Sequence, residues 1–340
     1  MPLSPESKDA TTFITEWGRY RYCRAPQGYH ASGDAYTRRF DDITSDFSRV
    51  SRCIDDSLLW DESIEESFWH TFDYLKHCSS NGIVFNVEKF VFCEKTCEFA
   101  GFELTPEGYR PPKRILDSIL SFPVPKTPTD VKSWFGLVNQ VAYAFAQSKT
   151  MSPFRDLLSK KKRDWQWTDE LTRIFEESKT HIVERIKEGV CTFQKDLVTC
   201  IATDWSRVGI GFCLSQKHCS CPVDPVTGTW SPNCGQGHWK LIMAGSRFTK
   251  PSEKLYSPPQ GETLAVAYAL NQCKKFVIGC SNLIVAVDHQ ALVKILTDRS
   301  LDTIDNPRIM RLKEKTLPYE FDITYIPGIL VQGIQQKPVQ

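Results

Sequence analysis

The segment from Ile201 to Gln216 most constrains what this chain can fold into. It reads Ile-Ala-Thr-Asp-Trp-Ser-Arg-Val-Gly-Ile-Gly-Phe-Cys-Leu-Ser-Gln, a strand carrying Asp204 that turns directly into a second strand. Val208, Ile210, Phe212 and Leu214 alternate with Gly209, Gly211, Cys213 and Ser215. Strand side chains alternate between faces, so one face is apolar and the other is small enough for a second backbone or a ligand to approach. Asp204 then sits within a sheet, where a carboxylate needs a metal, a cation or hydrogen-bond donors to offset its desolvation. Two further acids have similar settings: Glu262 starts the helix-like run Gly261 to Phe276, and Asp288 ends the apolar strand Leu283 to Val287.

The surrounding order is two strands, a Cys- and Gly-rich excursion, a strand (240–247), a helix, a strand, a short helix (290–297), a helix (306–317) and a strand (320–325). Such an order predicts a mixed α/β sheet, and the carboxyl ends of sheet strands are where α/β ligand sites form. Singly, Glu262 could serve a helix dipole and Asp288 could cap the next helix. Jointly, the three acids can converge on one spot, where their summed charge is tolerable only around cations. Hard oxygen ligands favour Mg²⁺ or Mn²⁺, and two such ions roughly 4 Å apart can activate a water and stabilise the leaving oxygen in phosphodiester cleavage.

Upstream, β-rich segments at 11–15 and 17–23 precede a helix-like run from Ala35 to Phe47. Val50 to Trp60 reads as a β-hairpin with Asp55 and Asp56 at its tip, where an ordinary solvated turn would also place them. A helix from Ile64 to Cys78 carries Ile64, Phe68, Phe72 and Leu75 at helical spacing. Phe90 to Cys93 and Glu98 to Glu103 read as β segments. Six prolines between Pro106 and Pro128 mark a boundary, followed by helices at about 129–145, 153–158 and 168–187. Lys160, Lys161, Lys162 and Arg163, with Trp165 and Trp167 after them, are either a solvated loop or a phosphate contact beside stacking aromatics. Cys219, Cys221 and Cys234 with His218 or His238 could form a four-ligand Zn²⁺ site, although the spacings are not those of a common finger.

Composition narrows the function classes. A chain of 340 residues with a net charge of +1 gives no global attraction to nucleic acid or membrane, so any nucleic-acid surface must be local. The opening residues lack a signal-peptide pattern and no apolar run approaches the roughly 18 residues of a membrane span. The expectation is an intracellular protein, cytoplasmic or nuclear, without a membrane partner. Its 13 cysteines are mostly isolated within strand- and helix-like stretches, which fits buried reduced thiols better than a disulfide framework.

Thr203 to Gly211, Tyr256 with Gly261 to Leu270, and Val287 to Leu292 together resemble the ribonuclease H domain of Gypsy-class LTR retrotransposon Pol polyproteins. Arg24-Ala-Pro-Gln27-Gly28-Tyr29 resembles the reverse-transcriptase motif that shapes the nucleotide pocket, and Cys53-Ile-Asp55-Asp56 its paired catalytic aspartates. Phe99-Ala-Gly101-Phe102 resembles the strand region that grips the primer, and Trp134 to Asn139 the helical connection. The resemblance implies an α/β and α+β multidomain chain: a partial polymerase palm over 1–105, a helical thumb or connection over 106–195 and a mixed-sheet ribonuclease H-like domain over 196–340. It also implies an RNA–DNA hybrid, or other nucleic acid, as partner.

The departures from that family matter as much. A third polymerase aspartate lies in the family shortly before the segment matching Pro2, so the expectation is no useful DNA synthesis by this polypeptide alone. Cys53 stands where the family has an aromatic. Asp204, Glu262 and Asp288 match three of four metal-binding acids, while the fourth position matches Gln335, an amide that adds no charge. Asp298, Asp302 or Asp305 could substitute only if the fold brings one to the site. Two functional classes follow: a two-metal hydrolase of the RNA strand of a hybrid, weak or demanding of metal, and a non-catalytic mobile-element remnant that binds nucleic acid.

Overall fold

The computed structural model describes residues 2–159, 165–220 and 238–326. The chain forms two compact units, Met1–Gly101 and Phe102–Gln340.

The first unit runs α1 (Pro5–Ala10), β1 (Phe13–Thr15), β2 (Gly18–Tyr20), α2 (His30–Thr44), β3 (Val50–Cys53), β4 (Asp56–Leu59), α3 (Ile64–Ser80) and β5 (Cys97–Phe99). β1–β2 and β3–β4 are antiparallel hairpins. α3 starts where the Ser63 hydroxyl accepts from the Glu66 N–H, and the chain leaves it through Asn81 and Gly82, whose φ of +79° suits glycine. Its buried stripe differs from the apolar spacing in the sequence: Ile64, Phe68 and Phe72 are 71%, 50% and 48% exposed, whereas Tyr74 and Cys78 are 1% and 0%. Tyr74 and Cys78 pack on Phe40, with Phe47, Val50, Leu59 and Phe85 around them, and the Tyr74 and Ser57 hydroxyls bond at 2.8 Å. Phe90–Cys93 is not a strand. Asn86 instead caps a short 3₁₀ turn at Val87–Lys89 through the Glu88 N–H, and Cys93 takes a φ of +52° that ends extended pairing.

The second unit begins with an antiparallel ribbon of β6 (Phe102–Thr105), β7 (Gly108–Arg110) and β8 (Val190–Cys191). Between β7 and β8 lie α4 (Lys113–Leu120), α5 (Pro128–Asn139), α6 (Ser148–Met151), a 3₁₀ stretch at Ser152–Ser159 and α7 (Asp169–Ile186). α5 opens with a reciprocal capping box between Thr127 and Asp130 and with Pro128 at its first turn, a sequence-encoded start. The fully buried Trp134 centres a core with Ile119, Val138, Phe154, Phe175 and Ile182. Trp165 and Trp167 belong to this core: they stack on each other at 5.8 Å, Trp167 stacks on Phe154 at 6.0 Å, and its indole N–H donates to Thr172. Trp167 is therefore sandwiched by protein rings, while the half-buried Trp165 has one face against it. Lys160, Lys161, Lys162 and Arg163 lie outside the described residues.

After β8 come β9 (Thr199–Trp205), β10 (Gly209–Lys217), β11 (Trp239–Phe248), α8 (Pro258–Gln272), α9 (Lys274–Val277), β12 (Leu283–Val287), α10 (Ala291–Thr297), α11 (Pro307–Glu314) and β13 (Asp322–Tyr325). The five strands pair in the order β11-β10-β9-β12-β13, with β9 to β11 antiparallel and β12 parallel to both β9 and β13. On one face, Ile201, Phe212, Leu214 and Val285 meet Val266, Ala269 and Leu270 of α8. On the other, the small residues of β10 admit the helical segment. The Ser148 N–H donates to the Ser246 hydroxyl at 2.9 Å, and a Cβ on Gly209 would fall 2.6 Å from the Ser148 oxygen. The space that the alternation left open is thus filled by protein. Cys78, Cys200, Cys213, Cys273 and Cys280 are buried free thiols, as the cysteine pattern implied, whereas Cys53, Cys97, Cys191 and Cys219 are half-buried and Cys23 and Cys93 exposed.

Replacing Trp134 by Ala should lower the stability of the second unit by about 3–5 kcal/mol, the range for emptying an aromatic site. Thermal unfolding followed by tryptophan-independent far-UV dichroism checks this, and a change within error of wild type contradicts the assigned core.

Candidate active site

Sheet register brings two of the three acids together. β9 and β12 pair in parallel with Ala202 opposite Ala286, so two residues further along Asp204 and Asp288 stand side by side on the same face. Glu262 comes from the second turn of α8, a helix started by a Ser257–Gln260 capping box and Pro258. Ligand oxygens of Asp204, Glu262 and Asp288 all lie within 4.8 Å of one another. Among the described residues no other group of three or more His, Cys, Asp and Glu side chains is so gathered.

The electrostatics follow from this crowding. Burial first, then the charges of Asp288 and Asp204, push the Glu262 carboxyl up to about 9 against the pull of the Trp205 backbone N–H, which donates to it. Burial raises Asp204 as well, with Asp288 adding to it and the Lys149 ammonium opposing. Asp288 is raised by burial against its own backbone N–H and the charge of His289. Glu262 is 5% exposed and its Oε2 is buried without a hydrogen-bond partner. A buried carboxylate oxygen left unpaired beside two more carboxylates is costly, and a hard divalent cation is the ligand that relieves both the missing contact and the repulsion. The donor set fits such an ion.

Sequence reasoning missed two contributors. Lys149 reaches Asp204 electrostatically from the helical segment, far away in sequence, and no local pattern marked it. Trp205 had a signal in Gly261. A Cβ there would fall 2.1 Å from the indole, so glycine is required where the ring lies over the start of α8.

The other predicted residues are placed as follows. Asp55 and Asp56 are exposed at the tip of the β3–β4 hairpin, where Cys53 pairs with Asp56 and Ile54 holds a φ of +58°. Positive φ at a β-branched residue is strained. Gln27 and Gly28 are exposed in the loop before α2, Gly28 at a φ of +85°. Phe99 is half-buried at the end of β5, and Ala100 and Gly101 both hold positive φ. Asp298, Asp302 and Asp305 are exposed and do not join the carboxylate group. The His218 N–H donates to the His238 carbonyl at 2.8 Å, and neither they nor Cys219 forms a metal-ligand group among the described residues. Cys221, Cys234 and Gln335 lie outside the described residues.

A five-stranded mixed sheet whose adjacent parallel strands and covering helix present three converging carboxylates defines a ribonuclease H-like domain. Residues 194–319 match the family model of the RNase H-like domain found in reverse transcriptase. The Tf2-3 and Tf2-7 transposon polyproteins of Schizosaccharomyces pombe (strain 972 / ATCC 24843) are 25% identical over 283 residues, covering 83% of this chain and 20% of theirs. The foamy viral protease-reverse transcriptase in complex with RNA/DNA hybrid superposes with a TM-score of 0.73 at 18% identity, over 100% of this chain and 43% of that one. Its dRH form in complex with double-stranded DNA gives 0.75 at 18% identity, over 96% and 54%. Together the family match, the transposon relatives and the foamy viral structures support a fragment of a Pol polyprotein that carries a ribonuclease H-like domain. The chain spans about a fifth (20%) of the length of the Tf2 relatives.

The raised carboxyl pKa values set a pH dependence. Each acid binds a proton more tightly folded than unfolded, so without divalent ion their contribution to stability is full below the unfolded value and is lost as pH rises through the folded one, about 9 for Glu262. The melting temperature of the metal-free protein should therefore fall between about pH 5 and 9 more steeply than that of Glu262→Gln. Mg²⁺ added at the alkaline end should raise it in wild type and have little effect in the variant. Parallel curves for the two proteins, with equal responses to Mg²⁺, contradict the shared site. Gly261→Ala should displace Trp205 and weaken the same Mg²⁺ response, read by the same melts.

Proposed function

We propose that the ribonuclease H-like domain hydrolyses the RNA strand of an RNA–DNA hybrid at a site formed by Asp204, Glu262 and Asp288. The observation that supports this most is the in-register placement of Asp204 beside Asp288, with Glu262 closing the group within 4.8 Å. Three hard oxygen donors from three separate elements, one with a buried unpaired oxygen, suit Mg²⁺ or Mn²⁺. Divalent cations, once bound, offset charge on the scissile phosphate and raise the acidity of water.

This chain's own groups do the positioning. The Trp205 backbone N–H fixes one side of the Glu262 carboxylate, and the Trp205 ring over Gly261 holds the first turn of α8 in place. Lys149 offsets part of the Asp204 charge from outside the sheet. Hybrid as substrate is supported by the foamy viral relative, whose complex contains an RNA/DNA hybrid. Such a site reads duplex shape and 2′-hydroxyls, so cleavage is expected to tolerate sequence. By resemblance to the family the fourth acid is replaced by Gln335, which lies outside the described residues; an amide there adds no charge, so a second cation would be held less tightly and the requirement for metal is high.

In this reading residues 1–105 are the palm, 106–195 the connection and 196–340 the nuclease domain, and Gln27, Gly28, Phe99 and Gly101 keep nucleotide- and primer-binding roles. Asp55 and Asp56 are exposed and gather no third acid among the described residues, which favours the hydrolase over DNA synthesis as the chain's activity.

Incubated with a labelled RNA–DNA hybrid and Mn²⁺, wild type should cut the RNA strand, and Asp204→Asn should lose more than about 100-fold, beyond what second-layer changes around a metal cost. Salt-sensitive binding of hybrid without turnover, identical in both proteins, selects the non-catalytic remnant instead.

A further inference from the structure

A groove of about 480 Å³ lies between the start of α8 and α11, lined by Tyr256, Gln260, Arg308, Arg311 and Lys315 among others. Its walls follow from the helix period. Arg308, Arg311 and Lys315 recur three and four residues apart, so they form one stripe, while Ile309, Leu312 and Lys313 are buried. Lys313 anchors the helix by donating to the Ile295 carbonyl at 2.9 Å and to the Arg299 carbonyl. Arg308 is preorganised: its guanidinium sits 4.3 Å from the Tyr256 ring centroid, and Nη1 donates to Gln260 Oε1 at 3.1 Å. Arg308, Arg311 and Lys315 are exposed, and among the described residues none is in an ion pair.

Three unneutralised cations around one groove attract an anion, and in a chain of net charge +1 this is a local concentration of the kind that backbone binding requires. We propose that the groove holds a backbone phosphate of the nucleic-acid duplex, contacted by Arg311, Lys315 and the edge of Arg308 turned away from Gln260. The proposal rests on the reading of the carboxylate site as a hybrid nuclease. Gln260 and Glu262 are two residues apart on α8, about 3 Å along the helix axis but on nearly opposite sides of it, so the groove lies across α8 from the carboxylates. Each strand of a duplex carries a charge about every 3.4 Å of its axis, so a duplex engaged at the carboxylates offers many phosphates beyond the one being cut, and the three cations suit one of those. A rigid guanidinium fork matches a phosphate's paired oxygens. Contacts of this kind fix register without reading sequence, which accords with a sequence-tolerant nuclease.

The test uses the full chain and Arg311→Gln/Lys315→Gln, whose exposed side chains leave the fold unchanged, verified by an equal melting temperature. Binding of a fluorescent RNA–DNA hybrid is followed by anisotropy in Ca²⁺ across a salt series. Each neutralised phosphate contributes about 0.9 to the slope of log K against log salt, so losing the one held in the groove should make the double variant's slope shallower by about 0.9, while Asp204→Asn should leave it unchanged. The double variant should also raise KM for hybrid and leave kcat as in wild type. A slope and KM equal to those of wild type overturn the groove and leave the nuclease reading standing. A lowered slope with no cleavage by any protein supports the groove and removes the nuclease reading. Failure of wild type to bind hybrid removes both.

Discussion

Repulsion among Asp204, Glu262 and Asp288 is the interaction on which the second unit turns. Parallel pairing of β9 and β12 forces two of the carboxylates side by side, and α8 adds a third that is almost wholly buried. Among the described residues nothing fully neutralises them: a backbone donor at Glu262 and the nearby charge of Lys149 are partial offsets. Folding therefore stores an electrostatic demand that protons meet at low pH and that a bound cation would meet at higher pH. Every neighbouring detail, from the glycine under Trp205 to the box that starts α8, serves to keep the three groups from relaxing apart.

The two halves of the chain handle acidic residues in opposite ways. In the first unit Asp55 and Asp56 lie in water at a hairpin tip, and the local cost is conformational, carried by Ile54 in a left-handed backbone. In the second unit the backbone is regular and the cost is desolvation. The first cost is borne by a single backbone torsion in an exposed turn, the second by three carboxylates held out of water.

Much of the candidate site was legible because it depends on short-range patterns. An acid at the end of an all-apolar strand, an acid at the start of a helix and an acid in an alternating strand each announce their element, and the parallel register then follows from the order of elements. What stayed hidden depends on which face finds a partner. α3 carries two apolar stripes, and periodicity alone could not say that Tyr74 and Cys78 would be chosen over Phe68 and Phe72. Trp165 and Trp167 read equally well as base-stacking or core residues until Phe154 is seen against them. Phe90–Cys93 has strand composition, but a local cap at Asn86 won over pairing. The stripe Arg308, Arg311 and Lys315 reads in sequence as an ordinary solvated helix face, and only its position against Tyr256 gives it a shape.

Ser148 docked on Ser246 and Gly209 makes the helical segment part of the sheet's own interior. The Arg155 guanidinium extends that seam by donating to the Thr249 carbonyl and lying over Phe248. An evolutionary exchange that moved only the nuclease strands into another polyprotein would strip this lining and expose Leu241, Phe248 and a row of glycines to solvent. From Phe102 onward the helical segment and the sheet therefore have to be kept together for either to keep its core.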